Sequence, residues 1–270
     1  MDMKPKFNLT VDENIFVAKR NIIDYIWKSA RLEGLAVTFP ETEAIYNGMG
    51  VANVPVNDII AVNNLKHAWQ FMFDTMDYPT DFAYICHLNR IVGDGDLIHS
   101  AGFLINIPVT IGGTSWKPDF PNEPDIKAAI KKIVKIENPT ERSISLMLYC
   151  MRSQMFLDGN KRTSMLAANH EMIMNGCGII SVPIEHQLRF TELLVKFYET
   201  NEPEELARFV YNNCIDGLDL REQEKSAQQS ISNKATLDER LTKVHSDIES
   251  QPTQTHSHEQ VRTKKNDVLE

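Results

Sequence analysis

Residues 154–165 read Gln154-Met-Phe-Leu-Asp-Gly-Asn-Lys-Arg-Thr-Ser-Met165, with a glycine between two polar side chains, two cations after it, and then an apolar pattern of helical spacing. A helix N-terminus carries unpaired backbone N–H groups and a partial positive charge, so a glycine-containing loop that feeds a helix is a ready anion site. Gly159 lets the backbone come close to a ligand. Asn160 can donate its amide to a phosphate oxygen, Lys161 adds a point charge, and Arg162 can bind bidentately. The carboxylate of Asp158 would repel phosphate unless it held a divalent cation, and Mg²⁺ bridging carboxylate and phosphate removes that conflict. The set suggests a Mg-nucleotide. The same residues also fit a plain Asp-Gly-Asn turn followed by solvated charge.

Helices are expected on both sides of this loop, over 140–153 and 162–175, with Gly176 as a C-cap. Upstream, Thr10-Val-Asp-Glu13 is a capping-box pattern, and Ile15, Ala18, Ile22, Ile26 and Ala30 continue at helical spacing to Glu33-Gly34, which predicts one helix over 10–34 after an extension of residues 1–9. A second helix capped by Asn57 or Asp58 should run to about Met76, and a third should start at Thr80 or Asp81. Further helices are predicted over 126–136, 184–200 and 203–214. Between about Leu97 and Phe120 the residues turn β-branched around Gly112-Gly113, which predicts a hairpin; Pro108, Pro118 and Pro121 confine it to an edge or a surface flap. Asp94 and Asp96 read as part of a turn. The expected fold class is mainly α, a helical bundle with one small β-hairpin flap, over residues 35–218.

After Gly217 the chain turns polar, and residues 219–270 read as a tail too poor in apolar surface to offset its ordering entropy. Within it, Thr236-Leu-Asp-Glu239 resembles a capping box, and Leu237, Leu241, Val244 and Ile248 suggest a short amphipathic helix over 236–249. The whole chain of 270 residues is 42% hydrophobic with a net charge of −9, ordinary for a protein with a core and contrary to nucleic-acid binding through its overall field. Cys86, Cys150, Cys177 and Cys214 are widely spaced among apolar neighbours and read as buried free thiols. No apolar run reaches the length of a membrane span and the N-terminal stretch carries no apolar leader core, so the expected location is cytoplasmic, with no membrane partner.

The 154–165 segment resembles the signature loop of the Fic/Doc (Fido) family, which reads H-x-F-x-(D/E)-G-N-G-R-x-x-R in Fic proteins and H-x-F-x-(D/N)-A-N-K-R in Doc proteins. Phe156, Asp158, Gly159, Asn160 and Arg162 match the Fic pattern, and Lys161-Arg162 matches the Doc ending. The resemblance spans about residues 10–215. It implies a Fic-type helical bundle, with ATP as substrate or ligand, phosphates on Gly159, Asn160, Lys161, Arg162 and Thr163, and Mg²⁺ on Asp158. It also implies a protein target aligned by strand addition on the flap at Ile111, Gly112, Gly113 and Thr114. The reaction it implies is transfer of AMP to a protein hydroxyl, an adenylyltransferase activity; in Doc-type members the group moved is phosphate.

Two positions depart from that pattern. The family's general base is a histidine, and the aligned residue is Gln154, whose amide has no accessible pKa; loss of such a base typically costs about 10²- to 10⁴-fold. The alternative to an enzyme of reduced activity is therefore an inactive nucleotide- or protein-binding regulatory module. His170 lies more than two turns along the following helix, over about 10 Å from the phosphate end, and His87 and His99 read as structural. Met165 stands where a second arginine would clamp phosphate. Ser29 and Glu33 match the family's inhibitory pattern (S/T)-x-x-x-E-(G/N), and without that arginine the partner of Glu33 must be Arg162, Lys161 or nothing.

Overall fold

In the computed structural model, which describes residues 3–218, a helical hairpin forms the centre of the chain. Its first arm is the helix Pro139–Ser153, started by Asn138, whose side chain accepts from the Glu141 N–H, and by proline at the first helical position. Its second arm, Asn160–Met174, is buried along almost its whole length. A helix buried all round must satisfy its polar side chains internally. Asn169 exchanges two hydrogen bonds with the backbone of Ile180, His170 contacts the Thr80 hydroxyl and the Thr75 carbonyl, and Glu171 pairs with Arg142 at 2.7 Å.

In chain order the helices are α1 (Val11–Arg20), α2 (Ile22–Leu32), α3 (Phe39–Tyr46), α4 (Val56–Asp74), α5 (Phe82–Val92), α6 (Glu123–Ile133), α7 (Pro139–Ser153), α8 (Asn160–Met174), α9 (Gln187–Thr200) and α10 (Glu204–Asn213), with a single 3₁₀ turn at Ile184–His186. Helices α1, α4, α5 and α7 pack on α8. The core has two parts. One lies between α2, α4, α5 and α8 around Ile26, Leu65, Ile85 and Leu88; the other lies between α7, α8, α9 and α10 around Met147, Met151, Phe190 and Val210.

The predicted helix over 10–34 is divided at Asn21, whose backbone (φ −108°, ψ 13°) leaves the helical basin. The Thr10–Glu13 capping box forms reciprocally, as its pattern predicts. Helix α4 starts at Val56, ahead of the predicted caps, and the Asp58 carboxylate accepts from the Ala36 N–H instead. Helix α3 had no counterpart in the periodicity, although Thr38 and Glu41 make a second complete capping box with proline inside the first turn.

The hairpin expected over 97–120 is not formed: the segment contains no strand and crosses the surface as an extended loop. Its backbone is held to the bundle where Ile105 donates to the Met155 carbonyl at 2.9 Å. Prolines 108, 118 and 121 remove donors that a ladder would need. The small β element lies elsewhere, as β1 (Ile179–Ile180) antiparallel to β2 (Ile215–Asp216), with Ile179 opposite Asp216 and Ile180 opposite Ile215. Gly176 closes α8 at φ 63°, where a Cβ would collide with the Leu9 carbonyl, so the predicted cap is also a point of close backbone approach.

Cys150, Cys177 and Cys214 are buried and Cys86 is half-buried, all as free thiols. Burial pushes the Cys150 thiol up to about 12. Among the described residues no helix is long and apolar enough to cross a membrane. The tail over 219–270, with its predicted helix over 236–249, lies outside the described residues.

Candidate functional site

The turn between α7 and α8 is held by its own side chains. Helix α7 ends on Gln154 in the left-handed region (φ 43°, ψ 50°), an uncommon conformation for a residue with a Cβ. Its amide nitrogen donates to the Met151 carbonyl at 2.6 Å, and its amide oxygen accepts from Asn160 at 3.3 Å. Asn160 closes the loop, accepting from the Phe156 N–H at 3.0 Å and donating to the Phe156 carbonyl at 2.7 Å. Met155 and Phe156 anchor the turn in the core. Gly159 has φ 76°, and an added Cβ there would come within 3.0 to 3.1 Å of Val92, Asn89 and Ile98.

Asn89, on α5, was not anticipated from sequence, yet it braces this turn. Fully buried, it donates to the Asp158 carbonyl at 3.0 Å and to the Thr163 hydroxyl at 3.1 Å, and accepts from the Gly102 N–H at 2.8 Å. It therefore joins the loop to the root of the flap. The available signal is its place on the core-facing stripe Ile85, Leu88 and Val92, where an asparagine needs internal partners.

The loop forms one side of a cleft of about 320 Å³, where Gln154, Asp158, Asn160 and Lys161 meet Glu33. Flap residues Val109–Gly112 and the α9 side chains Thr191, Leu194, Val195 and Tyr198 complete it. Of the predicted site residues, Glu33, Ile111, Gly112, Gln154, Asp158, Asn160 and Lys161 thus meet in one cleft, whereas Gly159 is buried against Val92, Asn89 and Ile98 and does not line it. Gly113 and Thr114 lie just outside the lining, with the Thr114 hydroxyl donating to Glu199 at 2.8 Å. Thr163 is buried behind the turn on Asn89 and does not line the cleft.

The two cations of the loop face different surroundings. Lys161 donates to the Leu32 carbonyl at 3.2 Å and stands 3.5 Å from the Glu33 carboxylate, which answers which cation Glu33 meets. Arg162 is only 6% exposed and reaches back to Asp158 at 3.3 Å, while Asp158 itself is 63% exposed. The Arg162 Nε and one Glu33 oxygen are buried without a hydrogen-bond partner among the described residues. Ser29, one turn before Glu33, instead shares a cavity of about 10 Å³ with Arg162 and Met165, room for about one water. Met165 is buried in the second core.

Tyr198, also unanticipated, is the other neighbour of Gln154, its hydroxyl lying 3.4 Å from the amide nitrogen. Burial first, and then the negative charge of Glu33, push its phenol well above the usual range. Trp116 stacks on Tyr198 with ring centres 5.5 Å apart, and the Arg152 guanidinium lies 4.7 Å over Trp116. This stack fixes the returning arm of the flap to α9. No histidine lines the cleft among the described residues. His170 is in the core, its pKa lowered by burial; His87 stands against Phe71 and His99 is exposed.

The first turn of α8 with Lys161 suits an anionic group, and the exposed Asp158 carboxylate suits a cation brought with it. Among the described residues no three potential ligands cluster to hold a metal unaided. A Mg²⁺ at Asp158 would therefore draw its other ligands from phosphate and water, as this hard cation does at phosphate sites. The donor set fits a Mg-phosphate and does not make a freestanding metal centre.

No protein-family model matches the chain, and no curated protein matches its sequence. Solved structures do match its fold. Fic-1 (residues 134–508) from C. elegans superposes with a TM-score of 0.64 at 18% identity, covering 82% of this chain and 66% of that one. A Fic domain containing signaling protein from Bacteroides thetaiotaomicron gives 0.62 at 18% identity, covering 72% and 82%. A Fic family protein from Desulfovibrio desulfuricans gives 0.59 at 16% identity, covering 72% and 62%. The chain spans just under two thirds of the length of the C. elegans structure.

Proposed function

We propose that this Fic-fold chain binds a nucleotide by its phosphates in the cleft between α8, α9 and the flap, with Mg²⁺ on Asp158, and that Glu33 competes with the phosphate for Lys161. The observation that carries this reading is the meeting of Lys161, Asp158 and the first turn of α8 in one cleft of about 320 Å³, within the range of small-ligand pockets. Mg²⁺ there would supply charge neutralisation between carboxylate and phosphate. Lys161 holds the anion, the N–H groups of the first turn orient it, and the Leu157 and Val195 walls exclude water from one side.

Transfer of AMP to a protein hydroxyl aligned on the flap is the reaction such a site would perform, and Gln154 limits it. An amide cannot take a proton near neutrality, and both ends of this one are engaged, by Met151 and Asn160. The chain is therefore read as a nucleotide-binding regulatory module in which the transfer step is weak or lost. The free cysteines accord with a reducing, cytoplasmic setting.

The test is calorimetric titration with AMP, ADP and ATP in the presence of Mg²⁺, on wild type, Lys161→Ala and Glu33→Gln, alongside incubation with α-labelled ATP. Binding that tightens in Glu33→Gln and disappears in Lys161→Ala supports the reading. Absence of binding for every nucleotide in both wild type and Glu33→Gln refutes it. Label that reaches protein with wild type as readily as with Gln154→His refutes the lost transfer step.

A further inference from the structure

The geometry points to a nucleoside monophosphate, in preference to a triphosphate, as the ligand of this cleft, an inference that rests on the nucleotide reading above. Lys161 is the one cationic side chain in the lining among the described residues; it meets the Glu33 carboxylate and shares the cleft with a second one, Asp158. The other cation of the loop is withdrawn. Arg162 is 6% exposed, turned onto Asp158, and borders the small cavity behind α8 instead of the cleft. One turn further, the side chain at position 165 is a methionine packed among apolar neighbours, so α8 offers no later cation. Beyond Lys161 the walls mix apolar side chains (Ile111, Leu157, Leu194, Val195), which suit a base or sugar, with the neutral Thr110, Thr191 and Tyr198, and hold no positive charge to pair with a β- or γ-phosphate.

A single phosphate matches this arrangement: it takes the place of the Glu33 carboxylate at Lys161, against the N–H groups of the first turn, while a cation at Asp158 faces its outer side. Without a divalent cation of its own, each further phosphate brings about one more negative charge into a lining whose side chains are already net negative. In a partly solvated cleft such an uncompensated charge weakens binding by about tenfold.

The experiment is calorimetric titration of the full chain with AMP, ADP and ATP at constant ionic strength and without divalent cation, where each phosphate carries its full charge, in wild type, Glu33→Gln and Thr191→Lys. Thr191 is an exposed α9 residue on the wall of the cleft, so a lysine there adds a cation without entering the core. The expected order is AMP, then ADP, then ATP, with AMP tighter than ATP by about tenfold or more, a uniform gain in Glu33→Gln, and a narrower AMP-to-ATP gap in Thr191→Lys. ATP binding as tightly as AMP, or tighter, overturns the inference while leaving nucleotide binding intact. A gap unchanged by Thr191→Lys overturns it as a matter of charge. Silence from all three nucleotides in both wild type and Glu33→Gln overturns it together with the reading it rests on.

Discussion

The turn between α7 and α8 and the flap that faces it across the cleft are built in opposite ways. In the turn nearly every polar side chain is engaged: Asn160 closes it on Phe156, Gln154 bonds to Met151 and Asn160, and Asn89 holds its outer side at Asp158 and Thr163. The flap has no ladder and is fixed at its ends, by Ile105 on Met155 and by Trp116 and Thr114 on α9. The segment that the proposed reading uses to hold an anion is braced by side-chain hydrogen bonds, and the segment that it uses to receive an extended partner keeps its backbone unpaired by strands. On that reading the braced turn would be preorganised for phosphate, and the flap would leave main-chain groups for a guest.

The contrast can be broken most severely at Asn89. Replacing it by alanine leaves the Gly102 N–H and the Asp158 carbonyl without their buried partner, and the expected loss is about 2 to 4 kcal/mol of unfolding free energy, measured by urea denaturation. A loss under about 0.5 kcal/mol would show that the turn does not depend on this brace.

His170 provides a milder and pH-dependent probe of the rigid side. Burial lowers its pKa, so the folded protein keeps it neutral while the unfolded chain protonates near the ordinary value of 6.5. Its contribution is complete above that value and falls as pH drops through the window below it. Wild type should therefore lose stability as pH falls below 6.5 relative to His170→Asn, and parallel pH profiles for the two proteins would contradict this. On the flap side Trp116→Ala should change global stability by less than about 1 kcal/mol. It should nonetheless speed proteolytic cleavage within residues 106–115, because it removes the stack on Tyr198. An unchanged cleavage rate would mean that Thr114 and the neck at Ile105 suffice to hold the segment.

The same contrast separates what could be read from the sequence from what could not. Local chemistry was legible where it is local in fact: the Thr10–Glu13 box and the Asp158-Gly159-Asn160 turn entering α8 form, and of the two caps offered for α5, Thr80 and Asp81, it is Asp81 that caps. The flap was misread because β-branched residues favour strands only where a neighbouring strand supplies the ladder, and none does here. Helix α3 is eight residues long, too short for periodicity to register, although its capping box was there to be seen. Asn89 and Tyr198 escaped because they reach the site through the fold, from helices far from it in sequence. Glu33 was legible as a candidate carboxylate, but its choice of Lys161 over Arg162 depended on how α2 meets α8, and no spacing encodes that.

Competition between Glu33 and phosphate at Lys161 is tested most directly by titrating ADP with Mg²⁺ into wild type, Glu33→Gln and the double variant Glu33→Gln/Lys161→Ala by calorimetry. Removal of the carboxylate should tighten binding by about tenfold, and removal of the lysine from that background should abolish the gain. Equal affinity in wild type and Glu33→Gln, or a gain that survives without Lys161, would contradict the account.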